Sequence, residues 1–216
     1  MAKEAQFYPY TSNGGATLGL SGPGFAILAG DTRSTAGYSI NTRYEPKVFT
    51  IQDAGKHSIV ISVIGFAADG HALKEKLEAI ASMYKYQHGR PINLRACAQR
   101  VSTLLYEKRF FPYQLQTMVA GIDSSDGLGA VYYYDPAGCI EKRSHCAAGA
   151  ASSLMLPFLD SQVPRLQPLE LQTGKQLIRD AFANAAERHI EVGDSLQLLV
   201  VTPDGVEEKV FDLKKD

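Results

Sequence analysis

The chain has 216 residues, 45% of them hydrophobic, which is enough for one substantial core and fits a single domain. Its 22 basic side chains against 23 acidic ones leave a net charge of -1, so no basic field exists to gather phosphates, which excludes a nucleic-acid partner. No apolar run approaches the roughly 18 residues of a membrane span, and the opening MAKEAQFYPYTSNGG lacks the apolar stretch of a secretory signal, so a soluble intracellular protein with no membrane partner is expected. Cys97, Cys139 and Cys146 form an odd, widely spaced set without a CxxC pair, which argues against a disulfide framework and against a zinc site. Three buried, reduced thiols are expected, and no metal or other cofactor.

After a polar start ending in Asn13-Gly14-Gly15, ATLGLSG and FAILAGDTR read as two strands joined through Gly22-Pro23-Gly24, a hairpin. A second hairpin is predicted from YSINTRYEPKVFTIQ and HSIVISVIGF, with its turn at Asp53-Ala54-Gly55-Lys56, so four strands precede any helix. Over residues 68–86 the period changes: Leu73, Leu77, Ile80, Met83 and Tyr84 recur at three or four residues and mark one face of a helix, which Gly89-Arg90-Pro91 ends. Asn93 is a candidate N-cap for a second helix to about residue 109, with Cys97, Val101, Leu104 and Leu105 on its buried face.

Strands return as QTMVAGID, GLGAVYYYD and CIEKRSH, a meander turning at Ser124-Ser125-Asp126-Gly127 and Asp135-Pro136-Ala137-Gly138. A short helix over 152–159, a longer one over 173–189, and a hairpin of DSLQLLVV and VEEKVFDL around Pro203-Asp204-Gly205 complete the order. Strands, two helices, strands, two helices, strands is not the strict alternation that builds a parallel doubly wound sheet. The order fits an α+β fold, a four-layer αββα sandwich of two antiparallel sheets between helices.

The most specific segments are NGGATLGLSGPGFAILAGDTRSTAGYSINTRYEPKVF, SVIGFAADG, LLYEKRFFPYQLQTMVAGID and GAVYYYDPAGCIEKRSHCAAGAASSLMLP. On these, and over nearly its whole length, the sequence resembles the beta subunits of the proteasome, which are N-terminal nucleophile hydrolases. The NGG start combined with RFFPY resembles the member at the sixth ring position. The resemblance implies residues 1–14 as an extension or remnant propeptide before one domain over 15–216. It implies a heptameric ring of beta subunits as partners, with the opposite beta ring and the alpha ring. It also implies polypeptide substrates in the enclosed chamber, a role in ATP- and ubiquitin-dependent degradation, and residence in cytoplasm and nucleus.

Active members of that family attack with an N-terminal threonine whose own amino group serves as base. This chemistry needs a hydroxyl at the start of the first strand, a cation to favour the alkoxide and donors for the oxyanion. Gly15 stands at the threonine position and offers no nucleophile; as a residue read without the family, it is a turn glycine before a strand. Thr17 shares the face of Gly15, since strand side chains repeat with period two, but an internal threonine lacks a free amine. An amidohydrolase using Thr17 is therefore only the competing reading.

Asp31 and Lys47 match the acidic and basic active-site residues, and the resemblance implies a partly buried pair kept for structure. Gly65 matches the backbone oxyanion donor. Ala150 stands for a supporting serine, Ser152 is kept, and His189 and Val192 replace the aspartate and the second serine. His189 near a helix end reads as a capping or packing residue, and His145 beside Cys146 points to the opposite face of its strand. Asp123 has two readings, an ordinary turn aspartate and, through the resemblance, a residue lining the substrate cleft of the adjacent chymotrypsin-like subunit.

Overall fold

The protein is described by a computed structural model that covers residues 10–166 and 168–215; residues 1–9 of the expected extension lie outside the described residues. Six strands come first: β1 (Ala16–Gly22), β2 (Phe25–Asp31), β3 (Ser34–Ala36), β4 (Ser39–Thr42), β5 (Val48–Gln52) and β6 (Ile59–Gly65). Helices α1 (Ala67–His88) and α2 (Leu94–Glu107) follow, then β7 (Leu115–Ile122), β8 (Gly129–Tyr134), β9 (Ile140–Arg143) and β10 (His145–Gly149). The chain closes with α3 (Ser152–Gln162), α4 (Leu171–Arg188), β11 (Ser195–Thr202) and β12 (Gly205–Asp212).

Two five-stranded antiparallel sheets result, in the orders β10-β1-β2-β11-β12 and β5-β6-β7-β8-β9. Period-two alternation in each strand sends one set of side chains between the sheets and the other toward a helix pair. In β1, Ala16, Leu18 and Leu20 meet Ile178 and Phe182 of α4, while Ala26 and Leu28 of β2 meet Met118 and Ala120 of β7 between the sheets. On the far side Ile59, Ile61 and Val63 of β6 pack under Leu73, Leu77, Val101 and Leu104 of α1 and α2. Each fully buried Leu, Ile, Val, Phe or Met among these contributes about 1.5–3 kcal/mol. This is the expected αββα order.

The helix limits follow their punctuation. Asn93 caps α2 by accepting the Ala96 N–H at 2.8 Å, and α1 stops at Gly89. Two strand readings are corrected. Residues 38–52, expected as one strand, hold β4 folded back on β3, then an irregular passage before β5, where Pro46 has no N–H to give a ladder. Among the described residues six strands, not four, therefore precede α1. CIEKRSH is likewise not one strand: β9 ends at Arg143, Ser144 carries the chain across, and His145 opens β10 in the other sheet.

Candidate functional site

Strands β1 and β2 pair antiparallel, with Thr17 opposite Gly30, which sets the start of β1 beside Asp31 at the end of β2. The carboxylate of Asp31 is fully buried; its Oδ1 accepts the Ala16 N–H at 2.8 Å and its Oδ2 the Arg33 N–H at 3.2 Å. The buried Lys47 ammonium lies 3.3 Å from Asp31 Oδ1 and donates at 2.7 Å to each of the Asp31 and Arg33 carbonyls. Burial raises the Asp31 carboxyl above its ordinary range, while Lys47 and the two backbone amides pull against it. The pair is fully buried, where sequence reading expected partial burial.

Gly15, expected at the nucleophile position, has φ +80°, and its neighbour Gly14 has φ +67°. A Cβ at residue 15 would fall 2.7 Å from Asp31 Oδ1 and 2.8 Å from Lys47 Nζ, and closer still to Lys47 Cε. The space a side chain would need is thus taken by the lysine. Upstream, Asn13 is held by two backbone hydrogen bonds: its N–H donates to the Gly65 carbonyl at 2.9 Å and its carbonyl accepts the Thr35 N–H at 2.9 Å. The Asn13 side-chain oxygen also accepts the Ala67 N–H at 2.8 Å at the start of α1. The Gly15 nitrogen is in a peptide bond, so neither a hydroxyl nor a free amine is present where acyl transfer would need them.

The residues of the expected second ring are only partly gathered. Gly65 and Ala150 share one open cleft of about 350 Å³ with Ser12, Gly14, Gln114, Gln116 and Gly149. The Ala150 N–H donates to the Gly15 carbonyl at 2.9 Å, and Ser152 begins α3 two residues on. His189 sits at the C-terminal cap of α4, with its Nδ1 accepting the Glu191 N–H at 3.3 Å, and Val192 is buried in the core beneath α3 and α4. Thr17 is fully buried between the sheets, and its hydroxyl has no partner there. His145 and Cys146 point apart: Cys146 lies between the sheets beside Met118, and His145 Nε2 lies 2.7 Å from Asp160. Cys97 is also buried, and desolvation pushes both thiols up to about 12; Cys139 is exposed, contrary to expectation.

Asp123 is 1% exposed, and both carboxylate oxygens are engaged within the chain. Oδ1 accepts the Ser125 N–H at 3.0 Å and hydroxyl at 2.8 Å; Oδ2 meets Arg95 Nε at 2.9 Å and Lys142 Nζ at 3.6 Å. Burial alone would raise this carboxyl, but the Ser125 and Arg95 hydrogen bonds outweigh it and bring the pKa down to about 2. Within this chain the carboxylate is turned toward Ser125, Arg95 and Lys142.

Sequence reading missed a second buried charge network. Arg33, 2% exposed, binds Asp194 through Nε at 2.8 Å and the Ile190 carbonyl through Nη1 at 2.9 Å, and Arg43 closes on the same carboxylate. It ties the loop after α4 to the strand end that carries Asp31. The available signal was Arg33 itself, a charged residue two positions past Asp31 in a run otherwise read as buried.

Comparison with known proteins gives the same answer along the whole chain. The family model described as "Proteasome subunit" matches residues 11–201. The chain is 82% identical over 216 residues to proteasome subunit beta inpE of Emericella nidulans, covering 100% of both. It is 45% identical to proteasome subunit beta type-6 of Saccharomyces cerevisiae (99% of this chain, 93% of that one) and 37% identical to proteasome subunit beta type-1 of Danio rerio (99% and 91%). An αββα sandwich with Asp31 and Lys47 buried at the head of β1, matched to these relatives from end to end, is a member of the proteasome beta subunit family.

Proposed function

We propose that this chain is a non-catalytic beta subunit of the 20S core particle, at the sixth position of the beta ring. It walls the chamber for ATP- and ubiquitin-dependent protein degradation and does not cut substrate itself. One observation carries the reading: at residue 15 there is no hydroxyl, and the volume a side chain would occupy holds Lys47. Relatives named beta type-6 and beta type-1 support the ring position. The partners are then the other beta subunits, the opposite beta ring and the alpha ring, in cytoplasm and nucleus. The Thr17 reading finds no support, because that hydroxyl is sealed between the sheets. Any influence on a neighbour's substrate cleft passes through Arg95 and Lys142, the half-exposed cations that Asp123 holds. Native mass and subunit composition of the complex purified through this chain test the reading: a multi-subunit barrel with one copy per beta ring is expected, and a stable 23.5 kDa monomer would overturn it.

A further inference from the structure

Asn13-Gly14 is an Asn-Gly pair, the sequence in which an asparagine side chain loses its amide most readily, because glycine puts no side chain in the way of ring closure. Thr11 and Ser12 just before it are exposed, yet the pair itself is held on every side. Phe66 stands at the N-cap of α1 and has no side-chain acceptor, so the first turn of that helix takes its cap from elsewhere. Asn13 supplies it, with Oδ1 accepting the Ala67 N–H at 2.8 Å. The Asn13 main chain is fixed as well, by its 2.9 Å bonds to the Gly65 carbonyl and the Thr35 N–H. Gly14 is buried with φ +67°, so close to the loop after α4 that a Cβ there would lie 3.0 Å from the Glu191 Cβ.

We propose that Asn13-Gly14 is a deamidation site kept closed by the fold, with the cap on α1 as its guard. In the reaction the Gly14 nitrogen bonds to Asn13 Cγ, the bond from Cγ to the side-chain nitrogen breaks, and ammonia leaves carrying the Gly14 proton. Water then opens the cyclic imide to aspartate or to isoaspartate. Ring closure requires the Asn13 side chain to turn toward the Gly14 nitrogen, and the bond to Ala67 and the two main-chain bonds oppose that turn. The two products leave the segment in different states. Aspartate accepts the Ala67 N–H as asparagine does and adds a negative charge beside the N-terminus of α1, so the segment stays seated. Isoaspartate inserts one methylene into the main chain, and the cap and both main-chain bonds can no longer be made together. Reaction at this pair therefore marks a chain whose segment before β1 has left its seat. The inference rests on the geometry of this chain and is independent of its place in a ring.

The test is peptide mapping of deamidation at residues 13–14 in the full-length chain, native and unfolded in urea, at mildly alkaline pH. The native chain is expected to react slower by on the order of a hundredfold, the factor for breaking three ordinary hydrogen bonds. Ala67→Pro removes only the donor of the cap, since proline is accepted at the first helical position and after an extended residue such as Phe66. It should speed the reaction of the native chain about fivefold, the factor for one lost cap. Equal rates in the native and unfolded parent, or an Ala67→Pro chain that reacts no faster than the parent, overturns the proposal. Amide exchange at Ala67 gives an answer that does not depend on the proline variant. Slow exchange is expected in the parent and in Asn13→Asp and fast exchange in Asn13→Ala, and the same exchange in all three overturns the guard.

Discussion

The charged part and the reactive part of the site differ in what remains of them. Asp31 and Lys47 are complete, fully buried and tied by backbone hydrogen bonds into the strands on either side. At the positions expected to be reactive, Gly15 has no side chain and Ala150 no hydroxyl, Val192 packs in the core, and His189 lies at the C-terminal end of α4. The contrast follows from what each part costs to lose. A nucleophile can be removed without disturbing the fold, whereas removing one member of a buried ion pair leaves an uncompensated charge. Retention of Asp31 and Lys47 therefore needs no catalysis to explain it.

Lys47→Ala is the largest way to break this comparison. It strands Asp31 and two carbonyls, and urea unfolding should show a loss of about 3–5 kcal/mol; an unchanged midpoint would mean that the pair is not structural. Gly15→Thr sharpens the other side. Its side chain must displace Lys47 and adopt φ +80°, so a loss of about 1–3 kcal/mol is expected, with no peptidase activity gained in the intact chain.

Asp123→Asn asks whether a second buried carboxylate behaves like Asp31. At neutral pH a loss of about 1–2 kcal/mol is expected, discounted for the half-exposed Arg95 and Lys142. The Asp123 carboxyl is held down at about 2, so its contribution is present above the ordinary carboxylate range and lost as pH falls toward 2. Parent and variant stabilities should converge between about pH 4 and pH 2, and a constant difference would show that the charge is not what matters. Peptide kinetics on assembled particles carrying the same variant would also read any effect relayed through Arg95. Asn93→Ala should cost about 1 kcal/mol through the lost cap of α2, the helix whose first turn carries Arg95.

Much of this was legible in the sequence where the determinants are local. Asn93 and Gly89 fixed helix ends because caps are short-range, and the resemblance to the proteasome beta subunits matched Gly15, Asp31 and Lys47 to the expected site. What was not legible depends on partners far along the chain. Ser144 carries the chain from one sheet to the other, and Arg33 finds Asp194 across 161 residues. The burial of Asp123 belongs with these, since the same Asp-Ser-Ser turn reads identically whether its carboxylate faces solvent or Arg95. The seating of Asn13 between Gly65 and Thr35 is another such pairing.

The most direct measurement is intact mass of this chain taken from purified particles after treatment with a covalent probe that captures threonine nucleophiles. The account predicts adducts on other subunits and an unshifted mass here. A stoichiometric acyl or alkyl adduct on this chain, mapped to Thr17 or to any other residue, would contradict it.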